Sequence, residues 1–292
     1  MFDIKGMNYH VLFSFHLYAA LKKTKSIKIR DLIIIAVVIY VTGGAGLYFL
    51  QEKILFHPLF LPADYHYKFD MPFREIDLPV TKEKNLSIVE FTIPDSVCRG
   101  IVLYFHGNMM NINRYAHFAG YFREHGYEVW MMDYPGFGKS TGARTEQIIC
   151  DDALRLYRMA RARFSSDSII IYGKSIGTGV ASLLASEVNC KRLILETPFY
   201  SIEALAKHYF FIYPVPLMAK YKFPIYQYFE KIKAPITIFH GSNDEVIPYR
   251  QSKRLVELNK TNVELITLDK GKHNNLAEFM LFHQKLDSLL RK

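Results

Sequence analysis

The chain has 292 residues, a net charge of +9, 50% hydrophobic and 22% charged residues. That length allows one large domain or two small ones, and a composition this close to the globular average excludes a disordered or low-complexity polymer. Three cysteines, Cys98, Cys150 and Cys190, are too few for a disulfide framework, and none lies in a C-x-x-C pair, so no cysteine zinc site is expected.

The positive charge is unevenly spread. Residues 1–31 carry six Lys and Arg against Asp3 and Asp31, while the rest is thinly distributed with no basic stripe. Nucleic-acid binding, which needs a clustered basic footprint, is therefore not expected. Directly after this basic segment, Leu32–Leu50 (LIIIAVVIYVTGGAGLYFL) runs 19 residues without a charge. About 20 apolar residues cross a bilayer's hydrocarbon core. Positive charge before the span and little after it predicts a signal anchor at 32–50, with 1–31 cytoplasmic and the remainder on the extracytoplasmic side. A cleaved signal peptide is the alternative, although Gly43-Gly44-Ala45-Gly46 lie within the apolar run instead of after it. A second apolar run, Tyr9–Leu21, is too short to span; an interfacial segment or a true start at Met7 would each account for it.

Beyond the span, residues 54–292 read as one domain. Arg74–Val80 and Leu86–Ile93 are expected as leading strands. Ile101–Phe105, Glu128–Met132, Ser168–Tyr172, Arg192–Glu196, Pro235–Phe239 and Val263–Leu268 follow, for eight strands in all. Helical patterns at Ile112–Glu124, Thr145–Phe164, Gly177–Val188, Gln251–Leu258 and Asn275–Arg291 alternate with them. Alternation of this kind predicts an α/β fold with a mostly parallel, doubly wound sheet. Ligands of such sheets bind beyond the carboxyl ends of the strands, so the residues after each strand carry the functional information.

Four strands end in suggestive residues. Gly173-Lys174-Ser175-Ile176-Gly177 is a G-x-S-x-G between strand and helix, where small residues permit a sharp turn that exposes the Ser175 hydroxyl as a nucleophile. Gly138-Lys139-Ser140 and Gly173-Lys174-Ser175 both resemble the end of a phosphate loop. That motif requires a glycine five positions earlier, where Asp133 and Ser168 stand, so an NTPase is excluded. After Ile101–Phe105 comes His106-Gly107-Asn108-Met109. An oxyanion requires backbone N–H donors, and Ile176 and Asn108 are the candidates, with Met109 the alternative to Asn108. His106 is expected to brace this loop and not to act as a base. After Pro235–Phe239, Asp244 is the candidate acid, with Glu196 a second position and Glu245 expected to point elsewhere. After the last strand, His273 is the candidate general base, and His283 is expected to serve packing. The order Ser175…Asp244…His273 is that of α/β hydrolases.

With these residues in place the chain resembles the α/β-hydrolase superfamily over about residues 50–290. It is most similar to the membrane-anchored, serine-aminopeptidase-like branch, near the palmitoyl-protein thioesterase-like ABHD proteins. QEKILFHP, YFHGN, DYPGFGKSTG, YGKSIGTG, ETPFYS and HGSNDEVIP carry the likeness in order. Met109 and Met110 depart from the small residues usual after HGN. The resemblance implies that His273 removes the Ser175 proton while Asp244 holds the imidazole, that an acyl-enzyme forms and is hydrolysed, and that no cofactor or metal is needed. A cap is expected at about 198–234, rich in Phe and Tyr; these rings either pack the cap down or form a lid toward an apolar, lipid-like acyl substrate. Three functions follow: an esterase or thioesterase; a peptidase, for which Glu203 on the cap is a candidate amine holder; and a scaffold without catalysis.

Overall fold

The computed structural model describes residues 28–259 and 261–291. The interfacial run Tyr9–Leu21 and the start at Met7 lie outside the described residues, as does nearly all of the expected segment 1–31. Two compact units divide between Phe49 and Leu50.

A single helix, α1 (Ile29–Leu55), covers the predicted span, and by length and composition it could cross a membrane. Its one hydroxyl-bearing threonine is satisfied internally, because the Thr42 hydroxyl donates to the Val38 carbonyl at 2.7 Å. Back-bonding of this kind lets a polar side chain lie in an apolar helix.

The second unit is the expected α/β-hydrolase fold. Its eight-stranded sheet uses β2 (Phe73–Pro79), β3 (Asn85–Phe91), β4 (Gly100–Phe105), β6 (Tyr127–Met132), β7 (Ile169–Lys174), β8 (Arg192–Glu196), β9 (Ile236–Gly241) and β10 (Val263–Leu268) in the order β10-β9-β8-β7-β4-β6-β3-β2. Strands β10 through β6 run parallel; β3 and β2 add an antiparallel edge. The unbroken apolar runs follow from burial on both faces. Ile101, Leu103, Phe105, Ile169 and Ile171 pack into one core with Ile149, Leu156, Val180 and Leu184. The alternate residues Val102, Tyr104, Ile170 and Tyr172 enter a second core with Ile112, Phe122, Phe282 and Leu286. This period-two split is what strand geometry requires.

Two predicted helices are broken. The run expected at Ile112–Glu124 forms α2 (Ile112–Tyr115), a 3-10 turn (Ala116–Phe118) and α3 (Ala119–Arg123). The tighter turn lays the Phe118 ring parallel to that of Tyr104, 6.1 Å apart. The run expected at Asn275–Arg291 is interrupted by an extended Phe279, with a 3-10 turn before it and a helix at Met280–Arg291 after it. A further pair of two-residue strands, β1 (His57–Pro58) and β5 (Met109–Met110), has no periodic signature in the sequence.

Between β8 and β9 lies the expected cap, with short helices at Ile202–Tyr209, Val215–Met218 and Ile225–Phe229. Its rings divide. Phe199, Tyr221, Phe223 and Phe229 are buried, as packing predicts, whereas Tyr209 and Phe211 remain exposed.

Candidate active site

Strand β7 delivers Ser175 into a tight elbow. Ser175 holds φ +53°, in the left-handed region that side chains disfavour. The turn is tied down by the Ser175 N–H donating to the Glu196 carbonyl at 2.9 Å, and by the Thr178 hydroxyl donating to the Ser175 carbonyl at 2.6 Å. The flanking glycines are required by space. A Cβ on Gly177 would lie 2.1 Å from the Phe105 carbonyl oxygen, and one on Gly173 would lie 2.5 Å from the Gly177 carbonyl oxygen. The elbow thus presses against the end of β4, bringing Ser175 close to the His106–Met110 loop.

Three distant residues converge here. The Ser175 hydroxyl lies 3.0 Å from His273 Nε2, and His273 Nδ1 lies 2.9 Å from Asp244 Oδ2. With a carboxylate on the Nδ1 side, Nδ1 carries the proton and donates to it; Nε2 is then the acceptor for the serine hydroxyl. The other Asp244 oxygen accepts the N–H groups of Val246 and Ile247 at 2.9 and 2.8 Å. Burial works to raise the Asp244 pKa. Hydrogen bonds from His240 and His273, the charge of His273 and the Ile247 N–H outweigh it, and the carboxyl is held well below the usual carboxylate range.

The remaining candidates take other places. Glu196 is buried against Lys174, with Tyr172 donating to its second oxygen at 2.6 Å, so it braces the floor of the elbow and does not orient His273. His106 is buried, donates from Nδ1 to the Gly107 carbonyl at 2.7 Å and stacks on Tyr115, the bracing role expected of it. His283 bonds the Ala277 carbonyl in the C-terminal region. Glu245 does not meet the His273 imidazole: its carboxylate accepts the His273 backbone N–H at 3.4 Å, and the residue borders the cavity beside Ser175. Glu203 lines a separate groove away from Ser175. The sequence reading gave His240 no role: it lies just past the apolar run Pro235–Phe239, and the structure extends β9 over it to Gly241.

The cavity over Ser175 has a volume of about 300 Å³. Asn108 and Ile176 line it and Met109 does not, being instead paired with His57 and 41% exposed. The walls are mainly aliphatic and aromatic: Ile54 and Leu55 on one side, Ile202, Leu205 and Phe210 from the cap, and Val246 and Ile247 from the acid loop. Tyr209 ties the cap to that loop through its hydroxyl, which donates to the Val246 carbonyl at 2.8 Å. Partial burial, with the charges of Asp244 and Glu245, raises the Tyr209 pKa and keeps it a donor. Among the described residues no group of three or more His, Cys, Asp or Glu side chains is gathered as a metal site would need.

Comparison with known proteins agrees with this fold. The serine aminopeptidase (S33) family matches residues 96–222, a stretch that includes Asn108 and Ser175 but ends before Asp244 and His273. Human protein ABHD12B is 27% identical over 208 residues, covering 60% of this chain and 56% of that protein. Alpha/beta hydrolase domain-containing protein 17C of Xenopus tropicalis is 28% identical over 200 residues, covering 66% and 62%. The chain therefore spans less than two thirds of either relative. Among solved structures, the Pyrococcus furiosus esterase Pf2001 superposes with a TM-score of 0.62 at 20% identity, covering 81% of this chain and 97% of that one. Est1E from Butyrivibrio proteoclasticus, bound to ferulic acid, gives 0.61 at 20%, covering 74% and 97%.

Proposed function

We propose that this chain, which has the α/β-hydrolase fold and resembles the ABHD-type hydrolases, is a membrane-anchored serine hydrolase of carboxylic esters or thioesters. The observation that carries this reading is the relay Ser175–His273–Asp244, with hydrogen bonds of 3.0 and 2.9 Å opening onto an apolar cavity. In this reading His273 Nε2 takes the Ser175 proton as Oγ attacks the acyl carbon. The Asn108 and Ile176 N–H groups receive the developing oxyanion. His273 then returns the proton to the leaving alcohol or thiol. Water, activated by the same imidazole, releases the acid. Asp244, already ionised, steadies the imidazolium without taking its proton.

The aliphatic walls favour an acyl chain, and a lipid-like substrate would reach such an enzyme from a bilayer. Leu32–Leu50 would act as an uncleaved anchor with its N-terminus cytoplasmic and the catalytic unit on the opposite side. A peptidase is the second reading, favoured by one observation: the Glu245 carboxylate in the cavity wall could hold a substrate ammonium group. Hydrolysis of acyl p-nitrophenyl esters against aminoacyl nitroanilides separates the two.

The decisive experiment is labelling of the full chain, in detergent micelles, by a fluorophosphonate probe. Covalent labelling at Ser175 is expected, and a folded wild type that stays unlabelled would leave the scaffold reading instead. Resistance to alkaline carbonate extraction, with the domain shielded from protease in sealed cells or vesicles, checks the anchor and its orientation.

A further inference from the structure

The short chain segment that follows α1 is bonded to the loop that would hold the oxyanion. Asn108 is gripped at two points. Its backbone carbonyl accepts the His57 N–H at 2.8 Å, and its side-chain Nδ2 donates to the Leu55 carbonyl at 2.9 Å. The last carbonyls of a helix lack intrahelical donors, so Asn108 supplies one that the end of α1 needs. The ladder continues. The Leu59 N–H donates to the Met110 carbonyl at 2.9 Å, holding a residue with φ +60°, and Asn111 Nδ2 donates to the Leu59 carbonyl at 3.0 Å. Leu61 and Gly138 close the far end, with the Leu61 N–H donating to the Gly138 carbonyl at 2.8 Å. Phe56 fixes the segment from beneath. It is buried with its ring 5.0 Å from Tyr221 and 6.2 Å from Phe137, and the Arg144 guanidinium lies 4.9 Å over it. Ile54 and Leu55 meanwhile form one wall of the cavity.

We propose that residues 55–59 are the positioning element of the oxyanion hole, and that the Asn108 side chain, by bonding the Leu55 carbonyl, aims the Asn108 N–H into the cavity. This rests on the hydrolase reading above. After Asn108 the loop runs into two methionines, long unbranched side chains that hold a loop only loosely, and Met109 is 41% exposed. The segment from α1 supplies the rigidity they do not. Asn108 thus has two roles: its backbone N–H is the oxyanion donor, and its side chain is a positioning group.

The test uses the full chain in micelles. Asn108→Ala keeps the N–H and removes the bond to Leu55. His57→Pro removes the donor to the Asn108 carbonyl without touching a cavity-lining atom. A donor displaced by about an ångström costs on the order of 100-fold in rate. Both variants are expected to lose roughly 10- to 100-fold in kcat on a soluble p-nitrophenyl ester, with KM within about threefold of wild type. Affinity for an alkylboronic acid, whose tetrahedral adduct occupies the oxyanion hole, should fall in proportion to kcat/KM, a shift that a merely structural role would not produce. Asn108→Ser, too short to reach Leu55, replaces the alanine variant if that fails to fold. Absence of wild-type turnover overturns the hydrolase reading and this inference with it. Wild-type turnover with a folded Asn108→Ala that keeps kcat within threefold, or loses kcat while binding the boronic acid normally, overturns the positioning role alone.

Discussion

His240 Nε2 lies 3.2 Å from Asp244 Oδ2, the same oxygen that accepts His273 Nδ1 at 2.9 Å. Two imidazoles therefore share one carboxylate oxygen. The Ile247 carbonyl, 2.9 Å from His240 Nε2, can only accept, so Nε2 carries a proton, and Nδ1 pairs with the Ser252 hydroxyl at 2.6 Å. His240 clips the acid loop to the helix at Arg250–Leu258. Replacing it with Phe leaves Ser252 and the Ile247 carbonyl without these partners. The expected result is about 1–3 kcal/mol of lost stability in urea unfolding and a fall of about tenfold in kcat, not abolition.

Asp244 itself sets an acid dependence. Its folded carboxyl titrates below the ordinary range, mainly through the two histidine hydrogen bonds that overcome burial. The stabilisation is complete above the unfolded carboxyl's range, near pH ~4, and is lost as the pH falls through the folded value. Asp244→Asn should flatten that acid-side decline when unfolding is followed from about pH 6 to pH 3. At pH 7 the same variant should lose about 10⁴-fold in kcat, because an amide can stabilise the wrong imidazole tautomer.

Ser175 occupies a costly backbone conformation at φ +53°. Ser175→Gly should abolish fluorophosphonate labelling and raise stability by about 1 kcal/mol, since glycine adopts this region freely. Ser175→Ala should also abolish labelling but without that gain. Retained labelling in either would point to another serine.

Lys174 and Glu196 form a buried ion pair under the elbow. Lys174→Met strands a buried carboxylate and should cost about 3–5 kcal/mol, whereas Lys174→Met with Glu196→Gln should recover much of it. Differential scanning calorimetry of the two variants measures the recovery.

Chain-length preference should follow the cavity. Ala206 lines it from the cap. Ala206→Phe fills space that an acyl chain would use. Octanoyl ester hydrolysis should drop at least about tenfold in kcat/KM, with acetyl esters within about threefold, because each CH₂ denied burial forfeits about 0.8 kcal/mol.

The fold was legible because β4, β7, β8 and β9 are nearly unbroken apolar runs, and burial on both faces leaves that mark. Ser175 and Asp244 could be singled out because each follows such a run in a turn, and His273 because it stands in the loop after the alternating last strand, before the final helix. The role of His240 was not legible, because its partners Asp244, Ile247 and Ser252 meet it only in the fold, and Glu245 stood beside a stronger candidate. The pairing of His57–Pro58 with Met109–Met110 was invisible, since two residues have no period and their contact spans some fifty positions. The break at Ala116–Phe118 accompanies the stacking of Phe118 on Tyr104, a tertiary contact that local propensity does not encode.

Strands β4 and β7, which carry Asn108 and Ser175 at their ends, are hydrogen-bonded neighbours at the centre of the sheet. The rings of Tyr104 and Tyr172 stack across them, 4.9 Å apart. Amides along both strands should accordingly be among the slowest in the molecule to exchange with deuterium, opening only when everything opens. Warming would then leave turnover intact up to the global transition and extinguish it there in a single step, with no gradual decline beforehand.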